Sequence, residues 1–310
     1  MKVFVTGATG FIGSAVVQEL ISAGHQVIGL TRSDVGAKSL TAAGAQVHRG
    51  DLEDLETLRS GAACAEAVIH TAFVHDFSRF QENCEIDSRA IEALGDALVG
   101  SDRPLIVTSG LVLMAQGRVA TEDDKPVRPS PSYPRASEVT AAVLAEHGVN
   151  TSVVRLPQVH DTVKQGLVTY AIGIAREKGI SAYVAHGRNR WAAVHLLDAA
   201  RLYRLALENA EPGARYHAVA EQGLPVRDIA EVIGRGLNAP LVSIAVEEAV
   251  EHFGGLAAFV GLDLAASSAQ TRKQPGWNPT GPGLIADLEK VRCFETGAGV
   301  PSAAPVRAAG

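Results

Sequence analysis

The chain has 310 residues, 46% of them hydrophobic and 20% charged, with a formal net charge of −6. That length and apolar content suit a soluble globular protein with a sizeable core. The negative balance, with no basic run longer than two residues, excludes general nucleic-acid or anionic-membrane binding.

The opening stretch MKVFVTGATGFIG sets the rest in order. Val3, Phe4 and Val5 predict a buried strand, ended by Thr6 and Gly7, and Ile12, Val16, Leu20 and Ile21 then recur at helical spacing. Gly7 permits the tight turn, Gly10 lets a phosphate approach bare backbone, and Gly13 lets the helix lie close on the sheet. The free N–H groups and dipole of the helix N-terminus favour an anion there, so strand, turn and helix together predict a dinucleotide site.

Further strands are expected at 26–30, 46–49, 66–70, 104–108 and 149–156, with helices at 34–43, 54–59, 80–99 and 134–147 between them. This alternation predicts an α/β fold, a doubly wound parallel sheet of Rossmann type. Beyond Pro157 the alternation fails. Helices are expected at 163–178, 195–208, 225–236 and 246–253, with an extended piece at 181–184. The expected organisation is a dinucleotide-binding domain at 1–156, a smaller, mainly helical C-terminal lobe at 157–298 that encloses a substrate and can interleave with the first domain, and a disordered tail at 299–310.

Cys64, Cys84 and Cys293 lie far apart without CxxC spacing, which excludes a disulfide framework or a zinc ribbon. No two histidines or cysteines share a ligand spacing, so no metal is expected. No apolar run reaches membrane length, and Met1 leads directly into the first strand, so cytoplasm is the expected compartment.

An acidic residue at the end of the second strand ordinarily holds the adenosine ribose. Here Thr31, Arg32 and Ser33 stand there instead. A guanidinium pairs with a 2′-phosphate that a carboxylate would repel, so NADP(H) is expected over NAD(H). Asp51 and Leu52 follow the third strand, where the adenine should rest; Asp51 reads almost equally well as a helix cap.

TGATGFIG, GDLED, HTAF (70–73), VVRLPQVHD (153–161), WAAVHLLDAARLYRLALE (191–208) and PGWNPT (275–280) together resemble the short-chain dehydrogenase/reductase superfamily. The likeness is to its extended and atypical branches, among NAD(P)-dependent epimerase/dehydratase-like and 3β-hydroxysteroid dehydrogenase-like proteins, and runs from residue 1 to about 290. It implies cofactor contacts from Gly7, Thr9, Gly10, Phe11, Ile12, Thr71, Ala72, Phe73 and Pro157. The family's chemistry uses Ser or Thr with Tyr and Lys, the last two spaced YxxxK. Tyr133 fits, in a helix whose first turn holds Pro134, but Ser137 replaces the lysine, and Arg135 is expected to face away. Gly110 falls at the usual serine position, leaving Ser109 or Thr108 to supply a hydroxyl.

Without the ammonium a tyrosine should stay protonated, a usable general acid but a poor base. The expected activity is therefore hydride transfer from NADPH to a carbonyl or related unsaturated group of a small to medium apolar substrate, with Tyr133 as proton donor. Two alternatives remain open: a catalytically impaired NADP(H)-binding sensor, and a nucleotide-sugar epimerase or dehydratase, against which the missing lysine counts. His75 and Asp76 are reserve cleft residues; His160 and His195 are read as structural. Helices 80–99 and 134–147 could form a homodimer face as in relatives, although packing on the sheet also explains their apolar stripe.

Overall fold

The computed structural model describes residues 1–115, 117–291 and 294; Cys293 and the segment 299–310 lie outside the described residues. The first half runs β1 (Lys2–Thr6), α1 (Phe11–Ser22), β2 (Gln26–Thr31), α2 (Asp34–Ala42), β3 (Gln46–Arg49), α3 (Leu55–Ala63), β4 (Ala67–His70), α4 (Phe80–Asp96), β5 (Leu105–Gly110), α5 (Ser137–Glu146) and β6 (Thr151–Leu156). The second half runs β7 (Gln158–His160), α6 (Leu167–Lys178), β8 (Ser181–Val184), β9 (Arg190–His195), α7 (Leu196–Asn209), β10 (Arg215–His217), β11 (Glu221–Pro225), α8 (Val226–Leu237) and β12 (Leu241–Ile244). Short helices α9 (Ala249–Phe253), α10 (Ala257–Val260), α11 (Ala269–Lys273) and α12 (Leu284–Leu288) follow.

Seven strands form one sheet in the order β10-β6-β5-β4-β1-β2-β3, every neighbouring pair parallel. The chain turns back on itself between β1 and β4, the switch point at which such sheets bind ligands. Alternation along each strand splits the apolar residues between two layers. Val3 and Val5 join Val16, Leu20 and Leu207 under α1 and α7. Phe4 joins Leu58, Ile91, Leu94 and Leu144 under α3, α4 and α5.

Residues after 157 divide between two bodies. β10 completes the edge of the main sheet and α7 packs against α1. A further core, with Val168, Ile172, Trp191, Ile229, Ile233 and Phe253, makes the second lobe. That lobe is less purely helical than its sequence suggests: β11-β9-β7 form a three-stranded sheet and β12-β8 a two-stranded one. Its strands are short and pair with distant segments, so they carry no local period to read. The PGWNPT segment closes the first body, because Trp277 is buried and donates through Nε1 to the Asp198 carbonyl at 2.9 Å.

A buried ionic cluster joins β6, α5 and β10. Arg155 is fully buried and grips Glu138 with two N–H groups, Nε to Oε2 at 2.9 Å and Nη2 to Oε1 at 2.5 Å. Its Nη1 donates to His217 Nε2 at 3.0 Å, while His217 Nδ1 donates to the Ser267 carbonyl at 2.8 Å. An arginine only donates, so the ring must be neutral. Burial, and then the Arg155 charge, push His217 down to about 4. Below the ordinary histidine value the unfolded chain takes up a proton that the folded one refuses, so stability falls with falling pH. The urea midpoint should therefore drop between pH 7 and pH 5, and drop less in His217→Asn. Equal drops in the two proteins would contradict this account.

Candidate active site

The glycine turn leaves β1 at Thr6 and enters α1 at Phe11. Gly7 has φ +67°, and a Cβ there would lie 2.7 Å from the Ala72 nitrogen. A Cβ on Gly13 would lie 2.0 Å from the Gly7 carbonyl oxygen, so the helix can come this near only without a side chain. Gly10 differs: its φ of −79° suits any residue, and the Gly7 carbonyl oxygen at 3.2 Å is all that a Cβ would meet. No other atom lies within 4 Å of that Cβ, which leaves room for an anion. α1 has no side-chain cap and no acidic residue in its first turn. Bare amides, a positive helix end and an uncrowded approach fit a dinucleotide pyrophosphate.

Of the other expected cofactor residues, Thr71 and Ala72 touch this turn. Thr71 Oγ1 donates to the Thr6 carbonyl at 2.8 Å and, with Ala72, walls the inner side of Gly7. Thr9 reaches the start of α2, its methyl 3.1 Å from where a Gly36 Cβ would stand. Phe11 and Ile12 pack partly into the core, and Pro157 follows directly on β6. Lys164, beyond β7, holds its ammonium 5.6 Å from the Phe11 ring centre. At the end of β2, Ser33 caps α2 by accepting from the Gly36 nitrogen at 3.0 Å. Arg32 is exposed and has no ion-pair partner among the described residues, whereas Asp34 is engaged by Arg49. Asp51 Oδ1 accepts from the Glu53 and Asp54 nitrogens and so shapes the loop, while Asp54 caps α3 and Leu52 leans on the core.

The ends of β4 and β5 carry a chain of buried polar contacts. A carboxylate only accepts, so His70 Nε2 donates to Asp87 Oδ1 at 3.1 Å, and Nδ1 pairs with Thr6 Oγ1 at 2.8 Å. Ser137 Oγ donates to Asp87 Oδ2 at 2.5 Å. Burial works against this carboxylate, but His70, Arg135 and Ser137 outweigh it and hold Asp87 below the usual carboxylate range. The two candidate hydroxyls part company here, as neighbours on a strand must. Thr108 Oγ1 donates to the His70 carbonyl at 2.6 Å and accepts from Tyr203 at 2.7 Å, turned towards α7. Ser109 lines the cleft with Gly110, Met114, Tyr133, Arg135 and Glu138. Among the described residues, its hydroxyl has no hydrogen-bond partner in the chain.

Tyr133 is buried, held by a tight turn in which its N–H and carbonyl pair with Ser130 at 3.0 Å. Its hydroxyl is 4.0 Å from where a Gly110 Cβ would stand. Burial raises the phenol above its ordinary value, with Arg135 acting in the opposite direction.

One expectation fails. α5 begins at Ser137, not at Pro134, so residues 133–136 are not helical and Arg135 does not face away. Its guanidinium lies over the Phe73 ring, 4.4 Å from the centre. Nε donates to Ser137 Oγ at 2.9 Å, and Nη2 reaches the Thr108 carbonyl at 3.4 Å. Pro134 restricts only Tyr133 and is itself at home in a first helical turn, so the later start at Ser137 had no local signal.

The reserve residues do not line the cleft with Tyr133 and Ser109. His75 is exposed and packs edge-on against Phe73, and Asp76 caps a short turn through Ser78. His160 is held by Asp287 at 2.8 Å, and His195 caps α7. Among the described residues no three His, Cys, Asp or Glu are grouped to hold a metal ion. None of their helices is long and apolar enough to cross a membrane.

A glycine turn at the switch point of a parallel sheet, with a tyrosine and a serine hydroxyl in the neighbouring cleft, is the architecture of the Rossmann class. The profile of the NAD dependent epimerase/dehydratase family matches residues 3–220, and the chain belongs to that family. It is 49% identical over 291 residues to an uncharacterised protein of Schizosaccharomyces pombe, spanning 93% of this chain and 98% of the relative. It is 47% identical over 292 residues to an uncharacterised protein of Saccharomyces cerevisiae, spanning 93% and 98%. The fold is also that of a dTDP-glucose 4,6-dehydratase from Streptomyces venezuelae, solved with NAD and TYD bound, with a TM-score of 0.74 at 19% identity over 95% of this chain and 96% of that one.

Proposed function

We propose that this family member is an NADP(H)-dependent oxidoreductase that reduces a carbonyl, or a related unsaturated group, of a small to medium apolar substrate. The observation that carries the reading is the placement of the Tyr133 hydroxyl. It is free of protein partners among the described residues, sits in one cleft with Ser109, and is kept protonated by burial. Bound NADPH would supply hydride. Tyr133 then gives its proton to the oxygen that becomes negative, and the Ser109 hydroxyl donates to the same oxygen and polarises it. Thr108, committed to His70 and Tyr203, serves instead to brace β5 against α7. Val112, Met114 and Val127 share the cleft wall with the polar Ser109, Tyr133, Arg135 and Glu138.

The test is NADPH consumption across ketones, aldehydes and enones, with product analysis on nucleotide sugars, because an epimerase or dehydratase returns its hydride and consumes no net cofactor. Turnover of apolar carbonyl compounds supports the reading. Tight NADPH binding without turnover of anything would favour a sensor, and turnover of nucleotide sugars alone an epimerase or dehydratase.

The preference for NADP(H) rests on Arg32, exposed and unpaired at the end of β2. Arg32→Ala should weaken NADPH binding about tenfold and leave NADH binding nearly unchanged, a loss typical of one charge-assisted contact. Equal effects on both cofactors, measured by fluorescence titration, would overturn the assignment.

A further inference from the structure

We propose that Arg135 supplies the fixed positive charge beside Tyr133, in place of a lysine, and that Ser137 is the positioning residue that aims it. The inference rests on the reading of Tyr133 as proton donor.

Three contacts fix the guanidinium. Phe73 lies under one face at 4.4 Å, Ser137 Oγ accepts from Nε at 2.9 Å, and the Thr108 carbonyl lies 3.4 Å from Nη2. Ser137 is itself buried and tied to Asp87 at 2.5 Å, so its hydroxyl proton is committed and its lone pairs face Arg135. The residue at the lysine's position therefore carries no charge, but it holds one in place. Among the described residues no carboxylate forms an ion pair with Arg135. Arg135 lines the same cleft as Tyr133 and Ser109.

The carboxylates that face Tyr133 from the surrounding elements oppose this charge, and each is engaged by other groups. From α4 come the Cys84 thiol, pushed by burial up to about 11 and so neutral, and Asp87, already bonded by His70 and Ser137. From α5 comes Glu138, gripped by Arg155. Arg135 is the cation on the same wall. An arginine keeps its proton, so it cannot relay one. It acts by charge alone, lowering the energy of negative oxygen as the phenol gives up its proton.

The test places 3-nitrotyrosine at position 133, whose phenolate absorbs in the visible and can be titrated with no cofactor present. With Arg135 in place the midpoint should be lower than in Arg135→Gln by about one pH unit, the low end for a nearby opposite charge. Arg135→Lys should restore most of the difference, and Ser137→Ala should move the midpoint the same way as Gln, by less. If the Gln protein does not fold, Arg135→Leu gives the same comparison, and the Lys and Ala proteins test the order on their own. A midpoint indifferent to Gln or Leu, or to Ser137→Ala with Arg135→Lys unchanged as well, overturns the proposal. Tyr133→Phe turnover separates the two claims. If it equals that of the unaltered protein the proton-donor reading falls, whereas a dead Phe variant with an unmoved midpoint sinks only the role of Arg135.

Discussion

Replacing Tyr133 by phenylalanine should lower the turnover of NADPH-dependent carbonyl reduction by ~100- to 10,000-fold, the range lost with a general acid. Stability should hardly change, because among the described residues the hydroxyl has no hydrogen-bond partner to lose and the ring keeps its packing. NADPH affinity should hold within about twofold, since the proton is needed in the transition state and not for cofactor binding. Steady-state kinetics with the best carbonyl substrate, alongside a cofactor titration, reads both quantities. Turnover within about twofold of the unaltered protein would remove Tyr133 from the mechanism.

Glu138→Ala should have the largest effect on stability, about 3–5 kcal/mol, the usual result of stripping one partner from a buried pair. Arg155 would remain fully buried with two N–H groups suddenly unpaired, and Arg215, 3.2 Å from the same carboxylate, would lose its partner too. Glu138→Gln should cost less, because the amide oxygen still accepts one bond. Urea unfolding of the cofactor-free proteins at pH 7 measures this. A loss under about 1 kcal/mol would mean that water reaches Arg155 in solution and that the pair is not dry.

The parts of the fold that could be read in the sequence are those whose cause is local. Val3, Phe4 and Val5 announce a strand buried on both faces, and the structure sends Val3 and Val5 to one core and Phe4 to the other. Gly7 and Gly13 announce a turn that tolerates no Cβ, and the distances of 2.7 and 2.0 Å say why. What could not be read depends on distant partners. β10 is three residues, Arg215 to His217, and becomes a strand because β6 offers it an edge some sixty residues earlier. Thr108 and Ser109 are chemically alike, and only the position of α7 and Tyr203 decides which of them faces the cleft. Arg135 looks misplaced on an ideal helix. The helix starts two residues after it, and an aromatic face, a serine and a carbonyl draw the side chain back towards the tyrosine.

Everything proposed about chemistry presumes that a dinucleotide pyrophosphate rests on the bare backbone at Gly10. Calorimetric titration of the unaltered protein and of Gly10→Val with NADPH tests it most directly. The valine suits the observed backbone angles and meets one carbonyl oxygen at 3.2 Å, so the fold should survive while the phosphate is kept off. The account predicts clear NADPH binding by the unaltered protein and at least a tenfold loss in a folded Gly10→Val protein, the cost of losing about 1.4 kcal/mol or more of contact. Undiminished affinity in the valine protein, or no binding of either nicotinamide nucleotide to the unaltered one, would contradict it.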